Sequence, residues 1–182
     1  VGAVAGPYSM LPLYLGDLGF ERPFANQLLA AARVGALVTS LLAGWLTDRL
    51  GTVRTLRLYF LACGSATLCL GLARGPWLVG AVFAQALCSS MFFPAAFTVL
   101  SRLFPGPLRS AAVSFMVPFT VFLGMGGASA ALGFLGEAGL FHMGFMAQGA
   151  LLLACLGLTP LLAGVDRATD GAGLLDDSRS DT

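Results

Sequence analysis

The chain has 182 residues, of which 57% are hydrophobic and only 10% are charged, whereas an ordinary soluble domain is about 25% charged. Its ten basic residues are all arginine, and nine acidic residues leave a net charge of +1. This charge balance excludes a protein that attracts nucleic acid or an acidic partner through its overall electrostatic field. The hydrophobic composition argues against a soluble fold.

The few charged residues fall in short islands, and the apolar runs between them have the length that a bilayer requires. About 20 helical residues cross the roughly 30 Å hydrocarbon core. The pattern therefore predicts an all-α membrane protein, a bundle of six transmembrane helices. The predicted spans cover residues 1–16, 25–46, 56–73, 77–101, 110–134 and 143–164.

The two ends of the chain differ from the other predicted segments. The first run is too short to cross a bilayer unless it is tilted, and it begins at Val1 without a charged leader. A fragment boundary is therefore favoured over a signal peptide. Residues 1–164 form the predicted membrane domain, and 165–182, rich in Asp, Ser, Gly and Arg, are expected to be a disordered cytoplasmic tail.

The arginines predict how the bundle is oriented. Arg22 and Arg74 belong to the loops on one side of the membrane. The other side has six arginines: Arg49, Arg54, Arg57, Arg102, Arg109 and Arg167. Because cytoplasmic loops carry an excess of basic residues, the second side is predicted to be cytoplasmic, together with both chain ends.

The first span contains two prolines flanked by aromatic residues. Tyr8 and Tyr14 lie close to Pro7 and Pro12, and Tyr8 is a candidate solute contact. Proline removes a backbone hydrogen bond from a helix, so helix breaks are expected at Pro12 and, in the fourth span, at Pro94. The alternative is a pair of ordinary proline kinks.

The second span carries an arginine inside the predicted membrane region. Arg33 lies about 10 Å into the helix at 1.5 Å per residue, and an ionisable group in a span indicates function by default. It shares a stripe of small and polar residues, while Leu28 and Ala32 face the other way. The stripe consists of Asn26, Ala30, Arg33, Leu37, Ser40 and Gly44.

The chemistry of arginine suggests what this stripe binds. A guanidinium can hold a carboxylate or another oxyanion through two parallel hydrogen bonds without changing its protonation state. We therefore expect Arg33, with Ser40 on the same stripe, to contact a small anionic solute. Two alternatives remain: Arg33 extends toward the membrane interface, or it pairs with a carboxylate from another part of the protein.

The loop after the second span combines glycine and charge at fixed spacing. Gly44 permits close approach of another helix, Asp48 can pair with an arginine or a helix N-terminus, and Gly51 supplies a tight turn. Arg49 and Arg54 complete the pattern. The segment resembles the G-x-x-x-D-R-x-G loop of the major facilitator superfamily, which follows the second and eighth helices of those twelve-helix transporters. A generic capped turn is the alternative.

This resemblance covers residues 1 to about 164 and implies the C-terminal half of such a transporter, helices seven to twelve with the first truncated. Gln85 lies where the first half usually carries an arginine. Pro118 is not preceded by a glycine, so the Gly-Pro pair typical of the first half is absent from the fifth span. Val53 departs from the family, which usually has a basic residue there.

The resemblance further implies secondary transport by alternating access, with the N-terminal six-helix half as a partner. In that mechanism the Asp48 loop holds the cytoplasmic side closed in one state. The expected location is the inner membrane of a bacterium.

The fourth span repeats the polar pattern more weakly. Gln85, Ser89, Phe92 and Ala96 share one helix face at 100° per residue. Gln85 and Ser89 are therefore candidate solute contacts. Hydrogen bonding between helices and ordinary packing are the alternatives for the same residues.

Two other functions are compatible with six spans. Ser129 and His142 give a superficial likeness to an intramembrane serine protease of the rhomboid type, but Ala130 replaces the second glycine of the G-x-S-G turn. Such a dyad needs its serine and histidine on different packed helices within hydrogen-bonding reach, so no enzyme is expected. The other alternative is a stand-alone six-helix channel or scaffold protein.

No metal site or cofactor is predicted. The four cysteines, Cys63, Cys69, Cys88 and Cys155, lie inside apolar runs and form no C-x-x-C pair. With a single histidine, the chain lacks the ligand cluster that a metal requires. Thiols that pack as small hydrophobic groups are the expectation.

Overall fold

The computed structural model describes residues 2–104 and 107–162, and the regular structure in these ranges is helical throughout. This confirms the predicted all-α bundle. The elements are α1 (Gly2–Asp17), α2 (Arg22–Leu50), α3 (Thr52–Leu72), α4 (Pro76–Ser90), α5 (Phe92–Leu103), α6 (Pro107–Val121), a π-helical segment (Phe122–Gly127), α7 (Ala128–Glu137), α8 (Phe141–Ala154) and a 3-10 segment (Cys155–Leu162). The predicted tail, 165–182, lies outside the described residues.

Among the residues that the structure describes, five helical stretches are long and apolar enough to cross a membrane. They are Arg22–Leu50, Thr52–Leu72, Pro76–Ser101, Ser110–Glu137 and Phe141–Leu161. The remaining helix, α1, has 16 residues, about 24 Å at 1.5 Å per residue. Its shortness agrees with the prediction that the first run crosses the bilayer only if it is tilted.

The second and third helices begin earlier than predicted. Pro23 lies in the first turn of α2, where its missing N–H leaves no hydrogen bond unmade, so the helix begins at Arg22. Gly51 adopts φ +85° and separates α2 from α3 by a single residue. Because glycine adopts this conformation without steric cost, α3 can begin at once at Thr52.

Successive spans run in opposite directions, so the connections gather at two ends of the bundle. We call the end that contains the connections after α1, α3 and α7 the Asp17 end, and the opposite end the Asp48 end. At the Asp17 end the Tyr14 hydroxyl donates a hydrogen bond to the carbonyl of Leu70 (3.3 Å). Toward the Asp48 end Arg57 Nε donates to Thr159 Oγ1 (2.9 Å).

Helix α3 lies at the centre of the bundle and packs most closely on α8. A Cβ atom added at Gly71 would come within 2.7 Å of the carbonyl oxygen of His142, and one at Gly149 within 2.7 Å of the backbone nitrogen of Leu68. The two helices can approach this closely only because glycine has no side chain. This is the usual role of glycine between membrane helices.

Of the two helix breaks predicted at prolines, the structure has the one near Pro94 and not the one at Pro12. Helix α4 ends at Ser90, and α5 resumes at Phe92 with Pro94 in its first turn. This break follows because Pro94 cannot donate to the Ser90 carbonyl four residues earlier. Helix α1 continues through Pro12, so the expected break there is wrong.

Two spans leave much of their surface uncovered within this bundle. In an apolar window of 18 residues in α3, 50% of the residues are buried, against 22% in the corresponding window of α2 and none in that of Ser110–Glu137. Exposed apolar side chains such as Leu37, Leu41 and Phe115 lie on these surfaces. In a membrane protein they face lipid or another helix bundle.

Candidate functional site

Arg33 lies near the middle of α2 and points away from the bundle interior. It is eleven residues beyond the first residue of this 29-residue helix, about 16 Å at 1.5 Å per residue. The opposite face is packed, since Leu28 is buried and Ala32 is completely so. The predicted stripe is thus a continuous outer face of α2, on which Asn26, Ala30, Arg33 and Leu37 are exposed and Ser40 and Gly44 partly exposed.

Tyr8 on α1 meets Arg33, although the two residues are 25 positions apart. The guanidinium carbon lies 5.0 Å from the centroid of the Tyr8 ring, within the range of a cation–π interaction. Two residues that were selected separately in the sequence therefore form one group.

The positive charge of Arg33 has no carboxylate beside it in the described bundle. The acidic side chains that the structure describes all lie at helix ends: Asp17, Glu21, Asp48 and Glu137. A guanidinium has five N–H donors, and among the described residues its contact is with the ring of Tyr8. Its N–H donors can bind an anion.

Ser40 lies on the same face of α2 as Arg33. Its neighbour Thr39, which the sequence did not single out, makes the packing contact with α4. Thr39 Oγ1 is 2.6 Å from Ser90 Oγ and donates to the carbonyl of Leu87 (3.0 Å). Beside it, a Cβ on Gly35 would lie 2.8 Å from Leu87 Cδ2. A glycine four residues before a threonine was the available signal for close contact between α2 and α4.

Gln85 and Ser89 occupy the interior of the bundle. Their side chains are 0% and 1% exposed, respectively. Ser89 donates a hydrogen bond to the carbonyl of Ala86 in its own helix (2.9 Å). The structure therefore does not bring them to the outer face that carries Arg33.

The loop between α2 and α3 has the expected turn. Gly51 has positive φ, and its N–H donates to the carbonyl of Thr47 (3.1 Å). A Cβ added at Gly44 would meet no described atom within 4 Å. The open side of Gly44 is thus available to a helix from outside this bundle.

The charged residues of this loop all project outward. Asp48, Arg49 and Arg54 are exposed, and the Arg49 guanidinium lies 4.9 Å from the centroid of the Trp45 ring. Among the side chains that the structure describes, no basic group forms an ion pair with Asp48. The partner expected for Asp48 is therefore not found in the described part of the bundle.

The two residues of the protease alternative lie on consecutive helices, Ser129 on α7 and His142 on α8, and Ser129 has another partner. Ser129 Oγ lies 2.7 Å from Ser9 Oγ, which links α7 to α1. His142 is the second residue of α8, beyond Glu137, and the separation of eight positions between Ser129 and Glu137 corresponds to about 12 Å of helix. No hydrogen bond joins Ser129 to His142 in the described structure.

A glutamine that the sequence analysis did not select links the last span to the first. Gln148 Nε2 donates to the carbonyl of Gly2 (2.9 Å). The signal was a lone amide in an otherwise apolar span, where hydrogen bonding to a neighbouring helix is expected.

Comparison with known proteins agrees with this architecture. The family model described as Major Facilitator Superfamily matches residues 2–175, nearly the whole chain. A search of curated proteins found no match.

Proposed function

Because the chain belongs to the Major Facilitator Superfamily, a family of membrane transporters, we propose that it carries a small anionic solute across the membrane by alternating access. In this proposal the chain is the C-terminal six-helix bundle, and the N-terminal half of the same protein completes the transporter. The bundle rests in a bacterial inner membrane with the Asp48 end in the cytoplasm, as the distribution of arginines favours.

One observation carries the anion assignment. The Arg33 guanidinium lies near the middle of α2, is oriented by Tyr8 and has no carboxylate beside it among the described residues. An unpaired cation at this depth is costly, and a solute oxyanion compensates that cost in the bound state. Arginine is suited to the task because it remains charged and offers paired donors to a planar carboxylate.

Ser40 extends the proposed contact along α2. It lies seven residues after Arg33, close to two full helical turns, and so on nearly the same side at about 10 Å. Its partly exposed hydroxyl can accept or donate a hydrogen bond to a neutral part of the solute. Gln85 and Ser89, buried in the interior, support the helix packing beside this face instead of contacting solute directly.

The Asp48 loop is proposed to regulate closure. Asp48 and Arg54 are exposed, and the face at Gly44 has no described neighbour. These features fit a contact that forms with the N-terminal half in only one of the two conformations. A group that binds one state and not the other shifts the equilibrium between them.

The proposal can be tested by ligand-induced stabilisation of the complete transporter in detergent. We would measure the melting temperature with a panel of carboxylates, phosphate and sulfate, using the corresponding neutral amides as matched controls. We expect stabilisation by at least one anion and not by its amide. Arg33→Gln should abolish the shift and Arg33→Lys should reduce it, whereas Arg22→Gln, at the helix end, should retain it.

A binding preference for amides or cations over anions would contradict the anion assignment. Equal stabilisation of the wild type and Arg33→Gln by the same anion would remove Arg33 from the site.

A further inference from the structure

A groove at the Asp17 end combines an apolar cleft with an exposed cation. It is a shallow, open groove between the last turn of α3 and the first turns of α4, with a volume of about 570 Å³. Its lining includes Cys69, Leu72, Arg74, Trp77, Gly80 and Ala84. This volume falls within the range of small-molecule sites, and it lies on the opposite side of α3 from the close contact with α8.

The groove begins at the level of the membrane interface and extends inward. Helix α3 has 21 residues, about 31 Å, which matches the hydrocarbon thickness. Arg74 follows its end, and Trp77 lies in the first turn of α4 and is 82% exposed. Exposed tryptophan is typical of membrane interfaces, so the mouth of the groove lies at the headgroup level.

The inner part of the groove is formed by small residues on one face of α4. Gly80 and Ala84 follow Trp77 at helical spacing, and from Trp77 to Ala84 the groove runs about 10 Å toward the membrane centre. A Cβ added at Gly80 would meet no described atom within 4 Å. The space beside α4 therefore accepts an apolar chain.

The backbone holds Arg74 at the mouth of the groove. The connection between α3 and α4 is only 73–75, in which Ala73 N–H donates to the Cys69 carbonyl (2.7 Å) and Gly75 turns the chain with φ +58°. Among the side chains that the structure describes, no carboxylate forms an ion pair with Arg74. A cation at the mouth of an apolar cleft is complementary to an amphiphile with an anionic head.

We propose that this groove is a specific site for an anionic phospholipid. The phosphate lies against the Arg74 guanidinium, which offers it paired N–H donors, Trp77 packs beside the glycerol region, and the upper part of one acyl chain occupies the groove along Gly80 and Ala84. This occupant is favoured over free phosphate because most of the lining is apolar, which a small ion does not use.

Native mass spectrometry of the complete transporter in detergent tests this site. We would titrate phosphatidylglycerol and phosphatidylcholine with identical acyl chains and compare the bound fractions. One arginine near a lipid surface predicts a preference of about fivefold for the anionic lipid. Arg74→Gln should remove this preference, whereas Arg22→Gln, at the same end of the bundle and outside the groove, should preserve it.

A second variant tests the apolar part independently. Gly80→Leu fills the groove and should reduce binding of both lipids at this site, whereas Gly157→Leu, where an added Cβ likewise meets nothing within 4 Å, should not. Glycerol phosphate, which has the anionic group without acyl chains, should fail to compete.

An unchanged lipid preference in Arg74→Gln would overturn the proposal. So would effective competition by glycerol phosphate, which would identify a simple anion site. Loss of preference in Arg74→Gln combined with normal binding in Gly80→Leu would also overturn it, since the groove would then play no part. Melting temperatures of the variants show whether each one is folded.

Discussion

The Arg33 guanidinium on α2 lies over the Tyr8 ring on α1, with 5.0 Å between its central carbon and the ring centroid. Tyr8 is partly buried and Arg33 is exposed, so the ring is held by the bundle while the cation faces outward. We infer that this contact restricts the rotamers that Arg33 can adopt. A pre-positioned cation loses less entropy when it binds an anion.

Substitutions of Tyr8 separate the effect of its ring from that of its hydroxyl. Tyr8→Leu removes the cation–π interaction, worth about 0.5–2 kcal/mol, and should weaken anion affinity about 2- to 30-fold. Tyr8→Phe retains the ring and should lose less. The measurement is the Kd, by titration calorimetry, of the anion that most stabilises the wild type.

The matched control for Tyr8 is Tyr14→Phe, because Tyr14 lies on the same helix and donates to the Leu70 carbonyl, away from Arg33. Equal affinities of the wild type and Tyr8→Leu would show that the ring does not position Arg33 for binding.

Asp48→Asn should separate gating from binding. If the Asp48 carboxylate stabilises one conformation through a partner outside this bundle, its loss should slow transport several-fold and change the distribution of conformations. The chemistry of a site around Arg33 should remain intact, because Asp48 lies fifteen residues further along α2, about 22 Å away.

The appropriate measurement is solute exchange in proteoliposomes, combined with distances between spin labels on the two halves. Asp17→Asn is the control, since Asp17 is an exposed carboxylate at the other end of the bundle. A normal exchange rate in Asp48→Asn would count against a gating role.

The sequence was sufficient to predict the fold class because the length of each apolar run is set by the bilayer. The loop at Gly51 was likewise predictable, since positive φ favours glycine and the residue does adopt φ +85°. The end of α4 near Pro94 followed from the missing N–H of proline.

Other features depend on tertiary contacts and could not be predicted from spacing. A polar residue in a span faces either a cavity or a neighbouring helix, and periodicity does not distinguish these cases. Gln85 and Ser89 face the interior, while Arg33 on the neighbouring α2 faces outward. The π-helical turn from Phe122 to Gly127 was also missed, although Gly124, Gly126 and Gly127 after Pro118 marked a weak point in the helix.

The hydrogen bonds of Thr39 should contribute measurably to stability. Thr39→Val keeps the shape of the side chain but removes the contacts with Ser90 Oγ and the Leu87 carbonyl. Interhelical hydrogen bonds in membranes contribute about 0.6 kcal/mol on average and about 1.7 kcal/mol at most. We expect destabilisation in this range, measured by unfolding in mixed micelles.

Thr98→Val is a matched control. Among the described residues, the Thr98 hydroxyl donates only to the carbonyl of Pro94 (2.9 Å), which lies in the same helix. It should change stability less than Thr39→Val. Equal effects would indicate that the contact between α2 and α4 does not depend on Thr39.

The contact between α3 and α8 should be the least tolerant of added volume. Gly149→Leu places a side chain where even a Cβ would lie 2.7 Å from the Leu68 backbone nitrogen, and backbone cannot move aside as a flexible side chain can. Overpacking costs about 1–3 kcal/mol or more, so we expect a clearly lower melting temperature. Gly157→Leu adds the same side chain further along the same span, where a Cβ meets no described atom within 4 Å, and should leave the melting temperature nearly unchanged. Similar melting temperatures for the two variants would show that α3 and α8 separate more easily than their glycine contacts indicate.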